Sequence, residues 1–389
     1  MCVSSKRSSL LSRSGFLGAV SAAALPLFAE PVRALAAVQE HAGAEATLRI
    51  PVGLSEANER AARIASGSPY IRAHVAQTEA LAASIGDATL RADVIDLLRR
   101  PIPRYLQRYP DAVARLAMRD RMANAGFVAA SAPVEGIFPP ISQTLGYAQP
   151  FWSAPGSDTN GHHSYPGGLC VHELFNARMG EQFARVYDLQ YFNGRPTVDR
   201  DIAIGAALYH DIMKTTVFQY HPDGTFFDEL LIGNTGGHHV LSGAEAIARG
   251  RDARFVTALL SAHAAPSLGD QSKVVTWCRA AAMLAGVDPV EYGLVRRDIE
   301  GYELAQLPAI ECFVNHLADH DYVLAIDAAH HVRPMLARIA PRFGVDANDP
   351  ATLQWWRLRI CSHATEIALY HELTRGETAF ENAVKAVVA

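Results

Sequence analysis

The stretch DRDIAIGAALYHD (residues 199–211) is almost wholly apolar after its first three residues, until it meets His210 and Asp211. A helix that is apolar on all sides is buried rather than exposed to solvent. The pattern therefore predicts a buried helix that ends at a polar centre, and we expect the fold to be organised around that end.

Helical patterns also dominate the rest of the chain. Residues 87–101 place leucines and a valine at i, i+4, i+7 and i+8, with Asp87 as a start signal and Pro101 as a stop signal. A second helix is predicted from Asp111 to a terminating Gly126. Further helices are predicted near residues 239–250, 253–263, 272–286, 302–340 and 350–385. Strand-like alternation is scarce, so the predicted fold class is all-α.

Composition limits the classes of partner. The 389 residues are 49% hydrophobic and 19% charged, with a net charge of −5, which is typical of a globular protein. No basic stripe for nucleic acid or an anionic membrane is evident. A small-molecule substrate is therefore the expected partner.

The N-terminus has the pattern of an export signal. Basic residues precede the apolar stretch 15–28, which is too short to span a bilayer, and small residues surround a cleavage point before Ala37. The stretch 12–18 resembles a twin-arginine signal, with Ser14 in place of the second arginine. We predict removal of residues 1–36, which would change the net charge from −5 to −8, no membrane span afterwards, and a periplasmic location.

Four regions are predicted: a signal peptide over 1–36, a helical accessory region over 37–150, a metal-binding domain over 151–290 and a C-terminal helical region over 291–389. Ten of the thirty residues from 139 to 168 are Pro or Gly. Long irregular connections in compact domains are often functional. We expect this one to be an ordered loop over the mouth of a site.

Histidines and aspartates recur at the spacing of helix hairpins. After the segment HHSYPGGLCVH (162–172), the chain presents its polar side chains at intervals of 38, 28, 24 and 25 residues: His172, His210 with Asp211, His239, His263 and Asp288. Antiparallel helices can bring one end of each to a common centre. Imidazole and carboxylate ligands suit Fe, Mn, Zn or Ni, so we predict a site for one or two divalent transition-metal ions.

These segments together resemble the HD superfamily of metal-dependent phosphohydrolases, in particular its exonuclease-like branch. The resemblance rests on HHSYPGGLCVH, AALYHDIMK (206–214), HVLSGAE (239–245) and MLAGVD (283–288), and it covers about residues 160–290. It implies an HD-domain helical bundle with N- and C-terminal helical extensions.

The resemblance also implies roles for individual residues. His172, His210, Asp211 and Asp288 would hold one metal ion. His239 and His263 would hold a second ion, with Asp211 bridging the two. Lys214 would face an anionic substrate group, and His163 would contact the substrate or donate a proton.

Other residues compete for these roles. His238 is an alternative ligand to its neighbour His239. The segment HLADHDYVLAIDAAHH (316–331) offers a second possible zinc site through His316 and His320, with Asp319, Asp321, His330 and His331 nearby, or a polar face that closes over the main cavity. After signal removal, three disulfide pairings are possible among Cys170, Cys278, Cys312 and Cys361.

Three functions are compatible with these patterns. Two metal ions would activate a water molecule for attack on a phosphoester, which makes a phosphohydrolase the first hypothesis. The alternatives are an HD-type mixed-valence di-iron oxygenase and a metal-stabilised binding protein without turnover.

Overall fold

The computed structural model describes residues 45–299 and 301–388, and residues 45 onward form one compact unit. The predicted signal peptide lies outside the described residues. Helices from all three predicted regions of the mature chain contact one another, with residues 350–364 packing on residues 56–83 and residues 310–318 packing on residues 168–191.

The fold is predominantly α-helical, which confirms the predicted fold class. The α-helices are α1 Glu56–Gly67, α2 Pro69–Ala83, α3 Ala88–Arg99, α4 Ala112–Asn124, α5 Val134–Ile137, α6 Gly168–Tyr191, α7 Arg200–Ala207, α8 Lys214–Val217, α9 Gly237–Ala248, α10 Ala253–Leu260, α11 Gln271–Ala285, α12 Ile310–Ala318, α13 Tyr322–Ile339, α14 Pro350–Ala364, α15 Glu366–Thr374 and α16 Glu377–Val388.

Two short antiparallel hairpins interrupt the helices. The first pairs β1 (Leu231–Ile232) with β2 (Thr235–Gly236), and the second pairs β3 (Val295–Asp298) with β4 (Gly301–Leu304). The prediction of helix from residue 302 is wrong at its start, because residues 301–304 pair as a strand and α12 begins only at Ile310.

Local capping explains where several helices begin. The side chain of Asp87 accepts a hydrogen bond from the Leu90 N–H at the start of α3, and Asp111 accepts one from the Ala114 N–H at the start of α4. Such caps satisfy backbone donors that have no partner within the helix. Both predicted start signals are confirmed.

A continuous hydrophobic core joins the helices around α6. Helix α6 packs against α2, α7 and α12, while α9 packs against α11. The contact between α12 and α6 places the 3-10 turn Asp319–Asp321, which follows α12, against the middle of the bundle.

The cysteines contribute to packing rather than to cross-links. Cys170, Cys278, Cys312 and Cys361 are all buried free thiols, so none of the three possible pairings is formed. Free cysteine in a core behaves as a small apolar side chain. Among the described residues, no helix is both long and apolar enough to cross a membrane.

Candidate metal centre

Five segments of the chain bring imidazole and carboxylate groups to one buried place. Helix α6 contributes one histidine, the turn after α7 a His-Asp pair, the start of α9 a histidine, the turn after α10 a histidine, and the 3-10 turn after α12 an aspartate. These residues are His172, His210, Asp211, His238, His263 and Asp319. The buried helix α7 therefore leads to a polar centre, as its sequence predicts.

A first group surrounds one oxygen of Asp211. Its Oδ2 lies 3.4 Å from the Nε2 atoms of both His172 and His210. Asp319 Oδ1 lies 3.1 Å from Nε2 of His172 and 3.4 Å from Nε2 of His210. In this group the ligand atoms of His172, His210 and Asp319 all lie within 4.8 Å of one another.

A second group surrounds the other oxygen of the same aspartate. Asp211 Oδ1 lies 3.0 Å from Nε2 of His238 and 3.7 Å from Nε2 of His263. Asp319 Oδ2 lies 3.5 Å from Nε2 of His263. One carboxylate oxygen of Asp211 thus faces each pair of histidines, and the two pairs adjoin, since ligand atoms of His210, Asp211 and His263 also lie within 4.8 Å of one another.

The hydrogen bonding of these groups is incomplete. Both oxygens of Asp211 and the Nε2 atoms of His210 and His238 are buried and form no regular hydrogen bond with another described residue, and the only charged partner of Asp211 outside the histidines is the Lys214 ammonium, which forms an ion pair with Oδ2. Buried polar atoms without partners are costly. Divalent cations use these nitrogen and oxygen lone pairs as ligands, so the donor set fits a metal and the cluster could bind one.

Three further carboxylates contact the outer nitrogens of the histidines. Asp321 Oδ1 lies 3.2 Å from Nδ1 of His172. Glu173 Oε2 lies 3.3 Å from Nδ1 of His210, and Glu229 Oε1 lies 2.5 Å from Nδ1 of His238. Carboxylates in this position fix the tautomer and orientation of metal-ligating histidines, and for His210 the backbone oxygen of Ala207, 2.8 Å from Nδ1, takes the same part.

Sequence reasoning missed Glu173 and Glu229. Glu173 directly follows His172, but at the level of sequence it is an ordinary helical glutamate. Glu229 lies in an irregular segment, and its contact with His238 depends on how the following hairpin folds back. Neither position carries a local signal for its role.

The carboxylates determine the electrostatics of the first group. Burial alone would lower the pKa of His172, but Asp211, Asp319 and Asp321 outweigh burial and hold this pKa well above its ordinary value. The same competition, led by burial and then Asp211, raises the pKa of His210. Burial would raise the pKa of Asp211, but His210 and other cationic neighbours hold it well below its ordinary value. The first group therefore attracts positive charge.

The structure places Asp288 away from this cluster. It is exposed and accepts hydrogen bonds from the backbone N–H groups of Val290 and Glu291 in the turn after α11. Those hydrogen bonds lower its pKa. Asp319, further along the chain, lies beside Nε2 of His172 and His210 instead, and it replaces Asp288 as the candidate ligand.

The neighbouring histidines of α9 also differ from the prediction. His238 presents Nε2 to Asp211, whereas His239 stacks on His263 with ring centroids 4.0 Å apart and lies edge-on to Trp277. Both ring nitrogens of His239 are buried without a hydrogen bond to any described residue. Burial and the neighbouring imidazole of His263 hold the pKa of His239 well below its ordinary value. Of the two histidines, only His238 presents a ring nitrogen to Asp211.

Lys214 lies next to the bridging carboxylate. Its backbone N–H donates to Asp211 O in the turn after α7, which brings the side chain back towards the cluster. The buried ammonium forms an ion pair with Asp211 Oδ2 and donates to Gly156 O. The Lys214 ammonium partly compensates the buried negative charge of Asp211.

His163 lies just outside the first group, on the Pro/Gly-rich loop. Its ring centroid is 5.5 Å from that of His172, and its Nε2 lies 3.8 Å from Asp321 Oδ2. Burial, partly opposed by Asp321, lowers the pKa of His163 to about 4. The imidazole of His163 is therefore neutral at pH 7.

The remaining candidates in the C-terminal part lie outside the cluster. His316 Nδ1 hydrogen bonds with Ala262 O, and His320 Nδ1 hydrogen bonds with His316 O. His330 and His331 are exposed on α13. Of this segment, only the two aspartates of the 3-10 turn reach the buried histidines.

Comparison with known proteins adds no relative: no family model, no curated protein and no solved structure matches the chain. The resemblance to the HD superfamily therefore stays a prediction.

Proposed function

We propose that the protein is a metal-dependent phosphohydrolase with two metal positions. The observation that carries this proposal is the placement of Asp211, whose two oxygens face two different pairs of histidines. His172, His210 and Asp319 would hold one ion and His238 and His263 the other, with Asp211 between them. Ions held in this way activate water and neutralise charge on the attacked phosphorus centre.

Lys214 supports an anionic substrate. Its ammonium is buried beside Asp211, so an anion that contacts the metal positions would lie close to a fixed positive charge. In a site shielded from water such an interaction is stronger than at the surface. Lysine acts there as a compact point charge, which suits a phosphoryl oxygen.

His163 would act as a neutral group. With a pKa of about 4 it carries no proton to donate as an imidazolium at neutral pH. It can still donate or accept one hydrogen bond to a leaving group or a phosphoryl oxygen. Its ring lies next to that of His172, with the centroids 5.5 Å apart, and this position supports a role in binding and orienting the substrate.

The exposure of the cluster on one side only supports the proposal that the substrate is small. The side chain of His263 is 26% exposed, whereas the other ligand side chains are at most 8% exposed. A phosphoester would therefore approach from the side of His263. If the predicted export signal acts, the substrate is a phosphoester present outside the cytoplasm.

The test combines metal analysis with a substrate screen. The purified protein is loaded separately with Mn, Fe, Ni and Zn, its metal content is measured, and a panel of phosphomonoesters and phosphodiesters is assayed. We expect two ions per chain and metal-dependent release of phosphate or alcohol. Two bound ions without turnover on any substrate would favour the binding-protein alternative.

A pair of adjacent variants tests the ligand assignment. His238→Ala should reduce the metal content from two ions to one, because it removes a nitrogen that faces Asp211. His239→Ala should retain two ions and serves as the matched control. The opposite result would return the ligand position to His239.

One observation favours a second candidate, the oxygenase. His238, His263 and Asp211 are two histidines and one carboxylate, the combination that non-haem iron oxygenases use. An oxygenase would require iron and consume O2 during turnover. Activity that is retained with Zn under anaerobic conditions would exclude this alternative.

A further inference from the structure

A third group of histidines lies beside the two metal positions. One ring nitrogen from each of His162, His163 and His172 lies within 4.8 Å of the other two. The Nδ1 atoms of His162 and His163 are only 3.1 Å apart. The proposed function uses His172 as a ligand and gives no role to His162.

His172 is already committed to the first group. As a ligand of the first ion, His172 would bind through Nε2, which faces Asp211 and Asp319, and its lone pair would be on that nitrogen. A neutral imidazole has a single lone pair, and the opposite nitrogen then carries hydrogen. Nδ1 of His172 accordingly donates to Asp321 Oδ1 at 3.2 Å. His172 cannot serve another ion, and the two loop histidines remain.

Asp321 contacts both His172 and the loop histidine His163. Its Oδ1 accepts from His172, while its Oδ2 lies 3.8 Å from Nε2 of His163. A carboxylate on that side favours the tautomer of His163 with hydrogen on Nε2 and a lone pair on Nδ1. That lone pair points towards His162.

The spacing of the two Nδ1 atoms is close to that of two ligands on one ion. Nitrogen ligands lie 2.0–2.1 Å from a tetrahedral zinc ion, so two of them are about 3.3–3.4 Å apart. In the metal-free structure the two Nδ1 atoms share a hydrogen bond of 3.1 Å, and an ion that replaced its hydrogen would need the rings to move only slightly apart.

The loop that presents these histidines is held rigidly. His163 adopts a φ of +51°, in the left-handed region that residues with a side chain rarely occupy. A Cβ on Gly168 would lie 1.9 Å from the His163 carbonyl oxygen, so only glycine fits there. Strained backbone of this kind persists where surrounding contacts enforce it and is common at ligand sites.

Arg333 of helix α13 supplies further contacts that enforce this conformation. Its guanidinium donates to the carbonyl oxygens of Thr159 and Gly161 and to Ser164 Oγ. The same guanidinium forms an ion pair with the buried Glu366 at 2.8 Å. Both flanks of the histidine pair are therefore fixed by one charged side chain.

We propose that His162 and His163 form a third metal position, oriented by Asp321, for a divalent ion that accepts imidazole ligands, such as Zn²⁺ or Ni²⁺. Its other coordination positions are open to water or to an anionic group of a ligand. With two protein ligands it binds its ion more weakly than the first two positions do. The proposal goes beyond the proposed function, since it requires no turnover.

The experiment counts zinc on the full-length protein. Equilibrium dialysis against increasing Zn²⁺, followed by metal analysis, should give two tightly bound ions and a third, weaker ion per chain. His162→Gln should weaken the third ion by about 10-fold or more and leave the two tight ions in place, because the change removes one of two ligands. His162→Phe is a second variant of similar shape that removes both nitrogens.

A control variant separates this position from a competing one. His316 and His320 have ring centroids 4.6 Å apart near the surface and could also take up zinc. His320→Gln should leave the third ion unchanged. Loss of the third ion in His320→Gln but not in the His162 variants would overturn the proposal.

The failure of this proposal is distinguishable from failure of the proposed function. A wild-type protein that binds two ions and no third would overturn the third position and leave the dinuclear site intact. Fewer than two tight ions in the wild type would contradict the proposed dinuclear site, whatever the His162 variants show.

Discussion

Two of the buried polar clusters among the described residues differ in how completely their atoms are paired. The first is the arginine cluster, in which Arg249 contacts Glu245 at 2.5 Å, Asp93 at 3.0 Å and Asp96 at 3.1 Å, and donates to Ile102 O. The second is the histidine–aspartate cluster, where one ammonium, that of Lys214, is paired with Asp211 and where buried nitrogen atoms of His210 and His238 form no hydrogen bond to a described residue.

The comparison separates structural from functional polar groups. Glu245 lies in the HVLSGAE segment, as does the motif histidine, yet its carboxylate is satisfied by Arg249 and by the Tyr105 backbone N–H. A buried cluster that neutralises itself needs no ligand. A buried cluster whose lone pairs have no partner can bind a ligand. The HVLSGAE segment therefore supplies Glu245 to the self-neutralised cluster, whereas the histidine that faces Asp211, His238, directly precedes the segment.

The largest expected effect is that of Asp211→Ala. This change removes the carboxylate shared by the two metal positions, so the metal content should fall from two ions to none and activity should be abolished. Metal analysis and the phosphoester assay are the measurements. Normal metal content in this variant would contradict the proposed bridging role.

Arg249→Met should lower the free energy of unfolding and leave the metal content unchanged. Removing one partner leaves buried carboxylates uncompensated, which typically costs about 3–5 kcal/mol of the free energy of unfolding. Denaturant titration measures this loss, while the metal content should stay at two ions per chain. A variant that is stable but loses metal would show that the two clusters are not independent.

Lys214→Ala should reduce kcat/KM by about 2–3 kcal/mol of transition-state stabilisation, or ~30–150-fold, because a charge beside the phosphoryl group is lost. The two metal ions should stay bound. Lys214→Arg should restore only part of the rate, since a planar guanidinium does not replace a compact ammonium. Wild-type kinetics in Lys214→Ala would remove this residue from the site.

Asp319→Asn and Asp288→Asn form a matched pair that tests the corrected ligand. The first change weakens a ligand to the first metal position and should lower metal affinity by roughly 10–100-fold, by analogy with changes around other metal sites. The second change alters only an exposed turn and should leave affinity unchanged. Competition with a chelator of known affinity gives both values. Equal effects would remove the distinction between the two aspartates.

The smallest expected effect is a release of protons on metal binding. In the metal-free protein the neighbouring carboxylates outweigh burial and raise the pKa values of three proposed ligands, His172, His210 and His238, which favours their protonated forms. Metal ligands must be deprotonated, so binding should release protons from these imidazoles near pH 7. Calorimetry in buffers of different ionisation enthalpy measures the number of protons released, and release of none would contradict the assigned charge states.

The same shift determines how the metal-free protein depends on pH. Histidines with raised pKa values stabilise the folded state fully below the unfolded value of about 6.5. This stabilisation is lost as the pH rises through the raised folded value. The metal-free protein should therefore lose stability above neutral pH, and a denaturant titration between pH 6 and 9 measures the loss.

The sequence predicts what short-range patterns determine. Helix starts at Asp87 and Asp111 follow from capping, and the convergence of His172, His210 and His263 follows from their order along helix hairpins. His238 and His239 show the limit of such reasoning. Adjacent helical residues point about 100° apart, so only the rotation of α9 within the bundle decides which imidazole faces Asp211.

Asp288 and Asp319 show a second limit. Both follow a helix, but α11 ends with Gly286 in the left-handed conformation and leads into an exposed turn. The second hairpin then intervenes before α12 packs on α6 and carries Asp319 to the histidines. That placement depends on contacts between helices more than a hundred residues apart, which no local pattern records.

The near-complete burial of the ligand side chains has a consequence for rates. With only His263 substantially exposed, solvent and chelators cannot reach the other ligands unless the surrounding segments open. An ion held there would leave at the speed of that local opening. Its half-life would then be the same at low and high concentrations of chelator, and it would report on motions of the protein rather than on the strength of its bonds.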